Sequence, residues 1–358
     1  MGAPFLFILP LMIGTYIRGA DHAKMLAGAV IWLIFDLPLA WLLGPAMVGL
    51  LVAIHSKPVG TDYFFGDCGR GLLGVAIGAS ITHEHIDWML NHPDLGLGLL
   101  IYVALGGGVG FLWLYRFCKW DRPSAWFAAF PGGMSEMIAS AEAFGANIPK
   151  VALSHSLRIF CLVCGASLAS YFFAGITTGS LGFGEADWEI QPLVFLTMVV
   201  SVWGGKYLRI PAHSFMAPMF ASLMMNLMFD IQLRLTDLIL ISGQYFLGWS
   251  IASRFKGVSK NEVVIILKQV FVLLLLFLPI WGMMAVLLDQ LADIDLVSII
   301  LGLAPGGQAE IALIAMALNA NLAVVMILHV LRSLMITMIG PVAFALITKS
   351  KPKRHSSV

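Results

Sequence analysis

The sequence predicts an all-α polytopic membrane protein made of two inverted copies of one unit, each with five transmembrane helices and one broken or re-entrant helix. Adding one amino-terminal helix gives about eleven spans. Three observations carry this reading. Of 358 residues, 59% are hydrophobic and 11% charged, with a mean hydropathy of +0.91; apolar runs recur along the whole chain; and residues 131–158 return in altered form at 305–332. An ordinary soluble domain is about 25% charged, so the composition excludes a cytosolic enzyme and a disordered chain. The 21 Lys and Arg against 20 Asp and Glu leave no basic excess for phosphates, which excludes nucleic acid as a partner. Membrane lipid is the expected surrounding.

The elements follow in order. Residues 1–20 are expected to hold a first transmembrane helix, whose apolar stretch runs from Met1 to Ile17 and is followed, not preceded, by the basic residues Arg18 and Lys24. A cleaved signal would carry its positive charge first, so this helix is expected to be retained. Apolar spans are then expected near 25–37, 40–55, 67–83, 94–117 and 151–174, forming repeat 1 over residues 25–174. An acidic periplasmic linker covers 175–191. Repeat 2 occupies 192–347, with spans near 192–207, 211–227, 238–254, 262–288 and 322–347, and a basic cytoplasmic tail closes the chain at 348–358. The segments 125–144 and 297–318 are apolar but cut by Pro-Gly-Gly, the signature of a broken helix rather than a simple span.

Orientation follows from the positive charges, because cytoplasmic loops retain Lys and Arg. With eleven spans and the carboxyl terminus inside, 16 of the 21 basic residues fall on the cytoplasmic side. Arg234 falls outside, and Arg70, Arg158, Lys268 and Arg332 lie within apolar spans. The opposite loops are acidic, with Glu185, Asp187 and Glu189 in one and Asp289, Asp293 and Asp295 in another.

Self-similarity is the strongest internal signal. PGGMSEMIASAEAFGANIPKVALSHSLR at 131–158 and PGGQAEIALIAMALNANLAVVMILHVLR at 305–332 share 12 of 28 positions at an offset of 174. Within one residue of that offset, Pro38 and Pro45 pair with Pro211 and Pro218, Gly69 with Gly243, and Gly74 with Gly248. Five crossings are an odd number, so the second copy is expected inverted, a construction used by secondary transporters. The LLGPAM segment at 42–47, the two PGG-x-[SA]-E segments and the His-x-x-Arg after each resemble the AbrB family of duplicated inner-membrane proteins over residues 25–347. Copy two departs from LLGP, reading Phe215-Met216-Ala217-Pro218. Members of that family carry labels of ammonia monooxygenase or regulator of gene expression, and the resemblance implies a bacterial-type inner-membrane location. The repeat plan also resembles that of inverted-repeat anion and amino-acid transporters.

The chemistry concentrates at the breaks. In Pro131-Gly132-Gly133-Met134-Ser135 and Pro305-Gly306-Gly307-Gln308-Ala309, proline ends the incoming half-helix and the glycines permit backbone conformations closed to other residues. A new helix then starts, its first amides unsatisfied and its dipole positive end exposed, an anion site. These residues, with Arg158 and Arg332, are the expected binding groups for a small anionic solute. The alternative is a pair of structural kinks.

Glu136 and Glu310 either cap their own helices or titrate as the element coupling transport to H⁺ or Na⁺. Arg158 and Arg332 either lock onto Glu136 and Glu310 or capture the anion directly. His155 and His329, three residues earlier on the same helical face, are structural hydrogen-bonding groups or proton relays. Asn147 and Asn321, with Gly145 and Asn319, read as helix stops. His83, Glu84, His85 and His92 read as a wet loop with a weak claim to a metal.

The expected function is therefore H⁺- or Na⁺-coupled secondary transport of a small anionic solute, carboxylate or amino-acid-like, by alternating access, with no cofactor and a homodimer as the expected assembly. A membrane-embedded regulator is the alternative. A metal-dependent monooxygenase is disfavoured, because Glu136, His155, Glu310 and His329 are too few ligands for a di-iron centre.

Overall fold

The computed structural model describes residues 19–55, 63–130, 134–174, 188–210, 212–254, 258–292 and 294–348. The body of the expected first helix, most of the acidic linker, the basic tail, and Pro131, Gly132 and Gly133 lie outside the described residues. So do the side chains of Met134, Ser135 and Glu136.

All regular structure among the described residues is helical, as a chain that must satisfy its backbone in an apolar medium requires. The elements are α1 (Gly19–Ile34), α2 (Ala40–His55), α3 (Tyr63–Ser80), α4 (His83–Asn91), α5 (Pro93–Leu112), α6 (Arg122–Ala129), α7 (Met134–Ala143), α8 (Ile148–Ala174), α9 (Gln191–Tyr207), α10 (His213–Phe229), α11 (Asp237–Ser253), α12 (Lys260–Ala292), α13 (Leu296–Leu303), α14 (Gln308–Ala317) and α15 (Leu322–Thr348).

Among the described residues, four helices are long and apolar enough to cross a membrane: Pro93–Phe117, Ile148–Ala169, Lys260–Gln290 and Leu322–Thr348. A fifth follows if α3 and α4, bent by 81°, count as one broken span. The other helices expected to cross have 16 or 17 residues. At about 1.5 Å rise per residue that is roughly 24–26 Å, short of a hydrocarbon core of about 30 Å.

Element boundaries recur along the chain. Arg122 and Leu296, Met134 and Gln308, and Ile148 and Leu322 open three helix pairs, each 174 residues apart, and Tyr63 and Asp237 open a fourth at the same interval. The α4–α5 stretch has one continuous counterpart, α12.

Packing repeats as well. A Cβ on Gly69 would lie 2.7 Å from the Gly243 carbonyl oxygen, so α3 and α11 cross backbone to backbone at two glycines 174 residues apart. A Cβ on Gly74 would strike the Phe215 carbonyl of α10, and one on Gly248 would strike the Leu42 carbonyl of α2. Small residues let helices approach this closely where no side chain fits between them. Pro45 and Pro218 sit inside α2 and α10 at matching places; each removes one helical hydrogen bond.

The largest buried cluster among the described residues joins α2, α3, α5 to α8 and α10 to α15, and includes Phe127, Phe344, Leu301 and Leu328. The ends of α5 and α12 are pinned together by Trp113 Nε1 donating to the Gln269 carbonyl and Trp120 Nε1 donating to Gln269 Oε1, both at 3.0 Å. This cluster encloses the two broken helices.

Candidate functional site

The described residues that flank the two breaks share one frame. Asp121 caps α6 by accepting from Ser124 N at 2.9 Å, and Asp295 caps α13 by accepting from Ser298 N at 2.8 Å. The hydroxyls of Ser124 and Ser298 then accept from the backbone N–H of Asn147 and Asn321, both at 2.7 Å. Those asparagines stand at the entry of α8 and α15, so the chain returns to the level at which it left. Half-helices of 8 and 10 residues, about 12 and 15 Å long, thus pair with their outer ends tied together.

The asparagines start helices rather than stop them: Asn147 Oδ1 accepts from Lys150 N at 3.1 Å, and Asn321 Oδ1 from Val324 N at 3.2 Å. The stop falls two residues earlier, at Gly145 (φ 74°) and Asn319 (φ 51°). A left-handed residue there lets the next amide satisfy orphaned carbonyls: Ala146 N donates to the Ala141 carbonyl at 3.0 Å and Ala320 N to the Ala315 carbonyl at 2.9 Å.

At the inner tip, the incoming half-helix ends with free carbonyls and a negative dipole end. Arg332 satisfies them in α13. Its Nη1 donates to the Leu303 carbonyl at 3.1 Å and to the Ala304 carbonyl at 2.6 Å, and its Nη2 donates to the Gly306 carbonyl at 3.4 Å. In α6, Arg158 Nη1 donates to the Ala128 carbonyl at 3.2 Å.

The histidines complete the caps. His329 Nε2 meets the Leu301 carbonyl at 3.0 Å, and His155 Nε2 meets the Phe127 carbonyl at 2.9 Å. A carbonyl only accepts, so each Nε2 carries the proton and each Nδ1 is an acceptor. The Arg332 and Arg158 Nη2 groups donate to those Nδ1 atoms at 2.9 and 2.7 Å. Both rings are therefore neutral with both nitrogens engaged, and a relay role would require breaking one of these hydrogen bonds.

The expected Arg332–Glu310 lock is not formed. The guanidinium is drawn instead to carbonyls that the Pro305 break leaves without partners, and Glu310 turns back along its own helix. Its carboxylate occupies the space where a Cβ on Gly307 would stand, with Gly307 at the cap position and Glu310 three residues on. Glu310 is also within electrostatic reach of Arg254, at the end of α11, and is 5% exposed. The corresponding carboxylate, Glu136, lies outside the description.

The glycines of the second break are required for a reason other than the expected one. Gly307 has φ −75°, a region open to any residue, and no positive φ occurs at Gly306. What a side chain would meet there is close approach, of the Glu310 carboxylate to Gly307 and of Leu162 Cδ2, 2.8 Å from a Cβ on Gly306, so these flexible ends would have to shift. Gln308 Nε2 donates to Ser333 Oγ at 3.0 Å. Ala309 is buried beside it.

Three polar residues of this region were not singled out by the sequence. Tyr102 of α5 is 1% exposed, and its hydroxyl is buried without a hydrogen-bond partner. Arg70 of α3 pairs with Asp67 at 2.8 Å and donates to Ser214 Oγ at 3.0 Å, close enough to Arg254 to repel it. A lone tyrosine in the glycine-rich run LIYVALGGG was the available signal for the first. Arg254 and Arg70 looked like ordinary loop and span charges.

The His83–His92 tract is helical, as α4, not a loop. His85 Nδ1 meets the Thr82 hydroxyl at 2.8 Å, His92 Nδ1 the Trp88 carbonyl at 2.8 Å and His83 Nε2 the Leu227 carbonyl at 3.2 Å. No group of three or more His, Cys, Asp or Glu suited to a metal ion occurs among the described residues.

Helices of membrane-crossing length around two half-helix hairpins with buried arginine caps define an all-helical protein of membrane type. Residues 41–348 match the family described as transition state regulatory protein AbrB, and the chain belongs to this family. A protein of Escherichia coli (strain K12) whose name, AbrB, designates a proposed regulator is 25% identical over 330 residues, 91% of this chain and 94% of that protein. YhjN of Bacillus subtilis (strain 168), named as an uncharacterized protein, is 22% identical over 355 residues, 90% of each chain. No solved structure matches.

Proposed function

We propose that this protein is an inner-membrane secondary transporter of a small anionic solute, carboxylate or amino-acid-like, working by alternating access and coupled to H⁺ or Na⁺. In this reading the chain consists of two inverted five-span repeats after an amino-terminal span, with its carboxyl terminus in the cytoplasm, and the two hairpins meet from opposite faces. A homodimer embedded in lipid is the working assembly.

One observation supports this above the others: the Asp–Ser–Asn ties, the histidine-to-carbonyl bonds and the Arg–His bonds of the two hairpins recur at an interval of 174, although the carbonyls held by the two arginines differ. Broken helices in apolar surroundings are costly and occur where backbone lines a cavity or is buried in protein. Transporters built from repeats use such half-helices in pairs at the substrate site. With the carbonyl ends already capped by arginine, the amino-terminal amides of α7 and α14 are the backbone groups left to receive an anion. Glu310, next to the α14 amino terminus and facing Arg254, is the coupling group that best fits.

The test is uptake of labelled carboxylates and amino acids into liposomes holding the purified protein, under imposed H⁺ and Na⁺ gradients. Accumulation driven by one gradient, and uncoupled in Glu310→Gln and Glu136→Gln, is the expected result. Uptake unchanged when Glu136, Glu310, Arg158 and Arg332 are all replaced would reject the site. If a transport-dead variant restored normal transcript levels to a deletion strain, the regulator reading would take its place.

A further inference from the structure

The caps leave a remainder. Both Nη groups of Arg158 and of Arg332 are engaged by carbonyls and histidine, yet Nε of each is buried without a hydrogen-bond partner among the described residues. Arg158 is 1% and Arg332 0% exposed, and neither forms an ion pair with a carboxylate among the described residues. The third orphan is the Tyr102 hydroxyl.

These groups share one place. Arg332 holds the Gly306 carbonyl; Gly306 abuts Leu162, one helical turn beyond Arg158 on α8; and α5, which carries Tyr102, packs on α15, which carries Arg332. The two guanidinium groups and the phenol lie within electrostatic reach of one another. Two like charges in an apolar interior repel, and guanidinium has no acceptor with which to satisfy a neighbour. A water molecule would accept hydrogen bonds but offset no charge. The position 174 residues after Tyr102 is Leu276, which is exposed, so one phenol serves both arginines and the site is single rather than doubled.

We propose that Arg158 Nε, Arg332 Nε and the Tyr102 hydroxyl together bind one small monovalent anion, a chloride ion or a carboxylate group, between the two hairpins. The binding depends on the transporter reading only for whether the bound anion moves. All three donors are sealed from solvent, so the site admits an anion of a few atoms and opens only when the helices around it shift.

The test uses full-length protein purified in detergent and melted at constant ionic strength, with gluconate, too bulky for a sealed site, replaced stepwise by chloride or by acetate. The wild type is expected to gain a saturable rise in Tm. Tyr102→Phe removes a hydroxyl that has no protein partner, so its Tm in gluconate is expected to equal or exceed that of the wild type. Its half-saturating anion concentration is expected to rise about tenfold, the effect of losing one hydrogen bond to a charged group. A response to chloride alone identifies an inorganic ion, to acetate alone a carboxylate group, and to both a shared site.

The absence of an anion-specific rise, or an unchanged half-saturation in Tyr102→Phe, overturns the proposal. Should that variant not fold, wild-type crystals grown in bromide and in acetate decide the matter: an anomalous bromide peak or acetate density within hydrogen-bond reach of both Nε atoms upholds it, and neither there refutes it. Because no gradient is involved, a protein that binds the anion but transports nothing refutes the transporter reading alone.

Discussion

Gly307 shows how much a single missing Cβ decides. Its φ is ordinary, so alanine would be tolerated by the backbone; the obstacle is the Glu310 carboxylate lying where the methyl would go. Gly307→Ala is expected to cost about 1–3 kcal/mol through overpacking, read as a lower Tm. The loss should shrink when Glu310→Ala is introduced beside it, because the clash then has no second partner, a coupling that a double-mutant cycle measures.

Arg332 argues in the same way for shape over charge. Lysine keeps the charge but is a point donor, whereas the planar fork of arginine spans the Leu303, Ala304 and Gly306 carbonyls together. Arg332→Lys is expected to destabilise by about 2–4 kcal/mol, the worth of one or two hydrogen bonds to a charged group. Denaturation in detergent checks this. A loss below that of an exposed Lys substitution would show that the caps contribute nothing.

At the scale of the element, the hairpins behave as matched parts. Each begins with an Asp–x–x–Ser cap and is tied back to the entry of the next long helix by the serine hydroxyl. Asp121→Ala and Asp295→Ala are each expected to cost about 1 kcal/mol, the usual worth of a side-chain N-cap. The near equality of the two losses is the informative result. Ser298→Ala should cost more than Asp295→Ala, since the hydroxyl both donates to Asp295 Oδ2 at 2.6 Å and accepts from Asn321 N. Thermal melts of the three variants decide it. The duplication itself was legible in the sequence through PGG and His-x-x-Arg. The direction of the asparagines was not, because a helix start and a helix stop use the same polar residues and only hydrogen-bond partners tell them apart.

For the whole molecule, the arrangement of charge carries the prediction. Under the transporter reading, Lys260→Cys is expected to be labelled only from the cytoplasmic face and Asp187→Cys only from the periplasmic face by a membrane-impermeant maleimide. The four native cysteines, Cys68, Cys118, Cys161 and Cys164, are partly buried thiols, so they are replaced first. Labelling of the two positions from one face would refute the inversion of the second repeat.

What the sequence determined by itself was class and recurrence. Composition is a sum over residues and hydrophobic runs are contiguous, so an apolar, helical, membrane-type chain follows without knowing any contact. The 174-residue interval is likewise a property of the chain laid out in a line. The tertiary structure alone decided which groups meet. Arg332 finds carbonyls 26 to 29 residues away rather than the carboxylate 22 residues away, because a broken helix end in an apolar core leaves acceptors that nothing nearer can satisfy. Tyr102 and Arg158 belong together only through the packing of α5 on α15 and of α14 on α8. No local pattern encodes that meeting, and its three unpaired donors are visible only once every other partner has been assigned.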